Sequence, residues 1–250
     1  MPSGETETPT RTLFVHLGFH KTGTTSIQVF VRRNTKLLAR QGVLVPSAGT
    51  VFGVSGHHNI AWQLCGDSRY RADLAGLDEL EAELSSSTLP TAVITSEDFT
   101  NLAAHPEARE RLEGAAARAG YAVRYIVFHR SARDYVPSLY LVIRKLGYTS
   151  GYLPYLLQIR RTHRFRSRNG HVFYFNVEDF AEAFAGAALE IVSYDAVKSD
   201  VIGRFLQSIG AQTLGQRVRD KTDYTYNRTP AIRLALYRLV GQLALAGAEI

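Results

Sequence analysis

The sequence predicts a three-layer α/β domain: a central, mostly parallel sheet with helices on both faces. Three observations predict it. Several short runs are apolar at nearly every position, they alternate with segments of helical periodicity, and a glycine-rich turn joins the first run to the first helix. A strand apolar on both faces must be covered on both faces, and strands alternating with helices imply right-handed crossovers and parallel pairing. With 250 residues, 45% hydrophobic and 21% charged, the composition is that of an ordinary folded domain, which argues against disorder and against a membrane protein. The expected organisation is a flexible polar tail over residues 1–11 followed by a single domain over 12–250.

The elements follow in order. Residues 12–17 form an apolar run rich in β-branched and aromatic side chains, the natural first strand. From 24 to 40, Ile27, Val29, Phe30, Leu37 and Leu38 recur at helical spacing with Arg32, Arg33 and Lys36 between them. Residues 42–46 read as a short strand closed by Pro46, and 47–58 as a loop rich in glycine and serine. Helices are expected over 59–64 and 77–84, with a buried strand at 91–95 that ends on Ser96-Glu97-Asp98. A helix over 106–118 leads to the most strand-like segment, 121–129, and Arg130 then turns the chain into a helix ending near Lys145. A strand at 173–175, a helix at 177–184, a strand at 189–194 and a helix at 195–209 complete the alternation. The apolar stretch 231–250 is interrupted by Arg233, Arg238 and Gln242, which fits a packed helix and not a bilayer span.

A net charge of +6 and a pI near 9.5 favour anionic partners: nucleotides, sulfated glycans or nucleic acid. Cys65 is the only cysteine, so no intramolecular disulfide and no cysteine-based zinc site can form, and a reducing, cytoplasmic setting is expected. Residues 1–10 lack the apolar core of a secretory signal.

Chemistry concentrates first in Gly18-Phe19-His20-Lys21-Thr22-Gly23-Thr24-Thr25-Ser26. A strand-to-helix junction with glycines offers inward backbone N–H groups and the positive end of a helix dipole, which together bind phosphate. The two glycines are spaced as in GxxxxGKS/T, but Thr24 stands where that pattern has lysine, and the lysine lies inside the turn as Lys21. In phosphoryl-transfer enzymes that lysine reaches the outer phosphates and the next hydroxyl binds magnesium. Inside the turn, Lys21 is instead placed to lie beside the bridging oxygen of a phosphosulfate and to neutralise charge on the leaving nucleotide, with no metal required. The alternative is a plain glycine turn with a solvated lysine.

The stretch His20 to Ser26 resembles the 5′-phosphosulfate loop of the sulfotransferases that use 3′-phosphoadenosine 5′-phosphosulfate (PAPS), whose members carry Lys-(Ser/Thr/Ala)-Gly-Thr-Thr after the first strand. The resemblance implies a P-loop-like fold, PAPS as donor, 3′-phosphoadenosine 5′-phosphate (PAP) as product, no metal, and sulfuryl transfer to a hydroxyl or amine. It implies donor contacts from His20, Lys21, Thr22, Gly23, Thr24, Thr25 and Ser26. It further implies a 3′-phosphate site made by an arginine at a strand end and a serine eight residues later, the relation held by Arg130 and Ser138. A guanidinium fork and a hydroxyl can grip a phosphate from two sides. An ion pair between Arg130 and Asp134 is the competing role. Tyr194, in Val192-Ser193-Tyr194-Asp195, matches a segment whose tyrosine contacts adenine, although a core tyrosine fits equally. Arg228, in Asn227-Arg228-Thr229, matches a late polar segment of bacterial members. The family's late Arg-Lys-Gly element is not present as such, leaving Arg217, Arg219, Lys221 and Arg228 as further cations.

Transfer needs a base for the acceptor's proton, and Glu97 stands at a strand end where such a group belongs. Ser96-Glu97 resembles the Ser-Glu pair of carbohydrate-type and bacterial members. A helix-capping carboxylate, or with Asp98 the acid of a kinase-like site, are the alternatives. On the acceptor side, Arg160, Arg161, Arg164, Arg166 and Arg168 interleave with His163 and Phe165, either a solvated face or a surface for an acidic, polymeric carbohydrate. His57 and His58 either line the acceptor site or are surface histidines, and Tyr135, Tyr140, Tyr148, Tyr152 and Tyr155 divide between an aromatic acceptor site and core. His16 is expected in the core, and no histidine pair has metal spacing. The expectation is a sulfotransferase acting on a carbohydrate hydroxyl, with no specific nucleic acid and no membrane span. A small-molecule alcohol or phenol sulfotransferase, a P-loop kinase and a noncatalytic polyanion-binding module are the alternatives.

Overall fold

The computed structural model describes residues 11–145, 147–214, 235, 237 and 238. The expected tail up to residue 10, Arg217, Arg219, Lys221, Arg228 and most of the 231–250 helix lie outside the described residues.

Strand β1 (Arg11–Gly18) is buried from Leu13 onward, and its side chains alternate between two cores. Leu13, Val15 and Leu17 enter one, and Phe14 the other, so both faces of the strand are covered. The chain continues through α1 (Thr24–Arg33), α2 (Thr35–Ala39), β2 (Val43–Leu44), α3 (His58–Cys65), α4 (Leu77–Ser86) and β3 (Thr91–Ser96). A 3₁₀ segment (Glu97–Ala104), α5 (Pro106–Arg118), β4 (Tyr121–His129), α6 (Ala132–Lys145) and α7 (Tyr152–Thr162) follow. The described chain closes with β5 (Arg164–Arg166), β6 (Val172–Tyr174), α8 (Val177–Glu182), β7 (Leu189–Ser193), α9 (Tyr194–Val197), α10 (Val201–Ser208) and a short 3₁₀ turn (Gln212–Leu214).

Five strands make one parallel sheet in the order β2-β3-β1-β4-β7. Helices α1 and α10 bury Ile27, Phe30, Val31, Ile202, Phe205 and Leu206 on one face. Helices α3 to α8 cover the other, so the three-layer α/β architecture is as the alternation predicts. The register decides where chemistry can gather: Leu17 lies opposite Ser96, Gly18 opposite Phe128, and His129 opposite Ser193. Four strands therefore end in one row, and Lys21, Glu97, Arg130 and Tyr194 leave the sheet on the same side.

Several boundaries differ from expectation. The first strand begins at Arg11, inside the expected tail. The helix expected over 24–40 breaks at Asn34, whose side-chain amide donates to the Phe30 carbonyl at 2.8 Å and so competes with the helical ladder. The helix expected over 195–209 divides at Asp200, whose carboxylate accepts the Gly203 N–H at 2.9 Å and caps α10, and Tyr194 opens α9 instead of closing a strand. Helix α7 and strand β5 are not among the expected elements, whereas the strand expected at 173–175 is β6, which pairs antiparallel with β5 outside the main sheet. No helix among the described residues is long and apolar enough to cross a membrane.

Candidate active site

The loop after β1 is a tight cradle. Lys21 adopts the left-handed conformation at φ 68°, uncommon for a side chain with a Cβ, and Gly23 follows at φ 80° as the N-cap of α1. The Thr22 N–H and hydroxyl both donate to the Phe19 carbonyl, at 3.2 and 2.6 Å. Thr22 therefore braces the turn, both of these donors being directed to the Phe19 carbonyl. A methyl group on Gly18 would lie 1.6 Å from the Thr24 Cγ2, so this glycine is required by the close seat of the helix start. No side chain caps α1 and no acid occupies its first turn, while Arg32 and Arg33 occupy its last. The dipole thus presents its positive end to the loop without neutralisation. Burial lowers the pKa of Lys21, and the nearby charges of Lys145 and Arg130 lower it further.

Arg130 stands where β4 ends. It pairs with Asp134 at 3.4 Å and with Asp195 at 3.8 Å, so the ion pair weighed as the competing role is present. Asp134 also meets Arg238 at 2.8 Å, a cation that sequence reasoning did not single out as a ligand. Even so, the Arg130 Nε is buried with no hydrogen-bond partner among the described residues, and the fully buried Ser138 hydroxyl is in the same state. The Arg130 Nε faces the Asp195 carboxylate at 3.8 Å, beyond hydrogen-bond range, and Ser138 lies about two turns into α6, so each buried group keeps unused hydrogen-bonding capacity. The Arg130 guanidinium lies 5.6 Å from the Tyr194 ring, whose edge is also the neighbour of Gly23. Tyr194 is partly exposed and packs against the core of Ile27, Phe30 and Phe205, so its ring is in part a core ring, as the alternative has it.

Glu97 leaves the end of β3 and accepts a hydrogen bond from the Gln28 carboxamide, which α1 carries one turn beyond the loop. Ser96, not Glu97, caps the following 3₁₀ segment by accepting the Asp98 N–H at 3.0 Å. Asp98 turns away into a buried cluster. Its Oδ2 accepts from the Trp62 indole at 2.8 Å and the His58 Nδ1 at 2.9 Å, and its Oδ1 from Arg69 at 2.9 Å. These donors hold the Asp98 carboxyl far below the usual carboxylate range despite burial. Both its oxygens are engaged by protein donors, which suits a structural carboxylate and not the acid of a kinase site.

His57 and His58 are buried, not surface residues. His57 accepts the Thr95 N–H at 3.0 Å and donates to the Pro46 carbonyl at 3.0 Å, and burial pushes its pKa down to about 4. The His20 ring lies 5.3 Å from Phe173 and 6.0 Å from His171, so its backbone belongs to the phosphate loop while its side chain faces the hairpin. Burial lowers its pKa against the pull of Glu97 and Asp98. No group of three or more His, Cys, Asp or Glu among the described residues is arranged to hold a metal ion.

Comparison with known proteins adds one likeness. The crystal structure of a sulfotransferase from Alicyclobacillus acidocaldarius superposes with a TM-score of 0.45 over 94% of each chain, at 14% identity. No family model and no curated protein matches the chain.

Some candidates are not brought to the site. Tyr155 is fully buried with its hydroxyl on the Val136 carbonyl at 2.9 Å, and Tyr140, Tyr152 and Tyr148 stack around it as core. His16 is fully buried against Phe128 and Phe205 with its Nδ1 2.7 Å from the Thr95 hydroxyl, a core histidine as expected, whose pKa burial pushes down to about 3. Arg160 and Arg161 end α7, and Arg164 and Arg166 point outward from β5 while Phe165 between them is buried. The hairpin meets the site with its other strand, through His171 and Phe173. The alternation Arg-Phe-Arg at 164–166 was the available signal for this strand.

Proposed function

We propose that this protein is a sulfotransferase that moves a sulfuryl group from PAPS to a hydroxyl or amine acceptor, with a carbohydrate as the favoured acceptor. The observation that carries the proposal is that Arg130, beyond the end of β4, and Ser138, on α6, each keep a buried polar atom without a hydrogen-bond partner among the described residues, while Arg130 also lies near enough to Lys21 to lower its pKa. A phosphate where β4 passes into α6 would satisfy both, and a second anion at the uncapped start of α1 would meet the dipole and Lys21. Two anion sites on adjacent strand ends fit a nucleotide with phosphates at both its 3′ and 5′ positions. Tyr194, which neighbours Gly23 and lies 5.6 Å from the Arg130 guanidinium, is the residue we assign to the adenine.

PAPS supplies the sulfuryl group, and the chain's own residues position it and manage charge. Lys21 and the N–H groups from Gly23 to Ser26 stabilise negative charge on the departing 5′-phosphate. Glu97, oriented by Gln28, takes the proton of the acceptor hydroxyl as that oxygen attacks sulfur. Positioning and electrostatics supply the rate. A carbohydrate acceptor is supported by the Ser96-Glu97 arrangement and by the exposed arginines at 160 and 161 on α7 and at 164, 166 and 168 on the hairpin. A cytoplasmic setting rests on the single, half-buried Cys65 alone.

The test is transfer of radiolabelled sulfur from PAPS to a panel of polysaccharides, phenols and alcohols in the presence of EDTA. The expected result is labelled polysaccharide whose formation is unaffected by the chelator. Absence of transfer to every acceptor, with magnesium-dependent phosphate transfer from ATP in its place, would contradict the proposal.

A further inference from the structure

Helix α7 presents a face that the core does not use. Tyr152, Tyr155, Leu156 and Ile159 are its buried side chains, while Leu153 and Leu157 are 57% and 46% exposed. Leu153, Leu157, Arg160 and Arg161 follow at steps of four, three and one, which places them within an arc of about 100° on an α-helix. The apolar stripe thus runs straight into arginines. Arg164, Arg166 and Arg168, all exposed, continue the basic surface on the hairpin.

Charge is distributed unevenly along the chain. Between Asp134 and Glu178 no acidic residue occurs, while seven lysines and arginines do. The whole chain has 29 Lys and Arg against 23 Asp and Glu, so outside this segment 22 stand against 23, and the excess positive charge lies here. The contacts made within the fold leave that charge uncompensated. Arg164 lies over the Tyr174 ring at 4.7 Å, Arg166 donates to the Gly170 carbonyl at 3.3 Å, and Arg168 donates to the Thr149 hydroxyl at 3.3 Å. Among the described residues no carboxylate pairs with these three or with Arg161, and the acids that come near are engaged elsewhere. Asp179 faces His163 at 3.5 Å, and Asp67, which accepts from Asn169, is held by Arg69 at 2.7 Å.

We propose that this face docks the protein on an anionic lipid surface, the leucines entering the boundary between headgroups and acyl chains and the arginines meeting lipid phosphates. A soluble polyanion, whether an acidic polysaccharide or a nucleic acid, needs the cations and gains nothing from exposed leucines. A lipid surface uses both, apolar side chains at the acyl boundary and Lys or Arg at the headgroups. The arginines alone suit an acidic acceptor equally well; the leucines single out a lipid. Because two leucines make only a small apolar contact, the attachment is peripheral, reversible and dependent on charge. The hairpin ties this face to the candidate active site, since β5 carries Arg164 and Arg166 outward while its partner β6 holds Phe173 against His20. The inference does not depend on the sulfuryl transfer proposed above.

The test is flotation of the full chain with vesicles of phosphatidylcholine alone and of phosphatidylcholine mixed with phosphatidylglycerol, at low and at physiological salt. Binding is expected to the mixed vesicles and not to the neutral ones, and it should weaken as salt rises. Leu153→Ser with Leu157→Ser, and separately Arg161→Gln with Arg164→Gln and Arg166→Gln, should each weaken it by about tenfold or more. Retention on immobilised heparin should fall in the arginine variant and stay unchanged in the leucine variant, which shows that the leucine variant keeps its basic face folded. Absence of binding to mixed vesicles, equal binding to neutral vesicles, or vesicle binding that either variant leaves unchanged would overturn the proposal. Heparin retention lost in the arginine variant, with vesicle binding indifferent to the leucines, would assign the face to a soluble polyanion instead.

Discussion

Lys21 and Glu97 divide the proposed chemistry, and each lends itself to a separate loss. Glu97 is joined to α1 through Gln28 and not to Lys21, so removing its charge should spare the nucleotide and harm the proton transfer. Glu97→Gln is expected to lower kcat by about 10²- to 10⁴-fold with PAP affinity unchanged, measured by steady-state kinetics beside calorimetry. Lys21 sits in the turn itself at φ 68° and shares its surroundings with Arg130 and Lys145. Lys21→Ala is expected to lower kcat by about 10²-fold or more, because a charge aimed at the leaving group acts mainly in the transition state. At this scale the sequence was informative where chemistry dictated residue type. Lys21 between two glycines, and Glu97 at a strand end, were legible from spacing alone. Thr22 was not, because nothing in the sequence tells that its hydroxyl turns back to the Phe19 carbonyl.

At the scale of elements, Asp98 joins parts that are distant in the chain. Through His58 and Trp62 it fastens α3, through Arg69 the turn that follows, and at 3.7 Å it meets His171 at the edge of β6. Asp98→Ala leaves these donors around an empty place and is expected to cost about 3–5 kcal/mol, read from the urea midpoint at unchanged m-value. Elements with an apolar period were legible: β1, β3 and β4 lie within a residue of their expected bounds, because strands buried on both faces are apolar throughout. The breaks at Asn34 and Asp200 were hidden, since both depend on one polar side chain winning a backbone partner. Helix α7 and strand β5, the first strand of the hairpin, were hidden for another reason. Their arginines dominate the local composition, while Tyr152, Tyr155, Phe165 and Phe173, which bury them, are scattered between.

For the whole molecule, buried histidines predict how stability responds to acid. His16, His57 and His171 are neutral in the fold, with pKa values near 3, 4 and 4 against an ordinary 6.5. Between pH 6.5 and about 4 the unfolded chain binds protons that the folded chain refuses, so stability must fall as pH falls through this window. Each such histidine contributes a slope of about 1.4 kcal/mol per pH unit. His58, whose pKa is raised, acts in the opposite sense: its contribution is complete below 6.5 and is lost as pH rises through its folded value. Asp98 adds a further loss as pH falls below its ordinary 3.8. Chemical unfolding at a series of pH values should therefore show a steep decline from neutrality to pH 4, and a flat profile there would contradict the buried neutral histidines.

The sheet brings the loop of Lys21, the Arg130–Ser138 junction and Glu97 to one row of strand ends, and the central claim is that this row holds a nucleotide bearing 3′- and 5′-phosphates. Titration calorimetry with PAP and with ATP plus magnesium, on the wild-type chain and on Arg130→Ala, tests it most directly. The prediction is tight binding of PAP without metal, weakened by about tenfold or more in Arg130→Ala for the loss of a charge-assisted phosphate contact. Preference for ATP with magnesium over PAP, or PAP binding indifferent to Arg130, would contradict it.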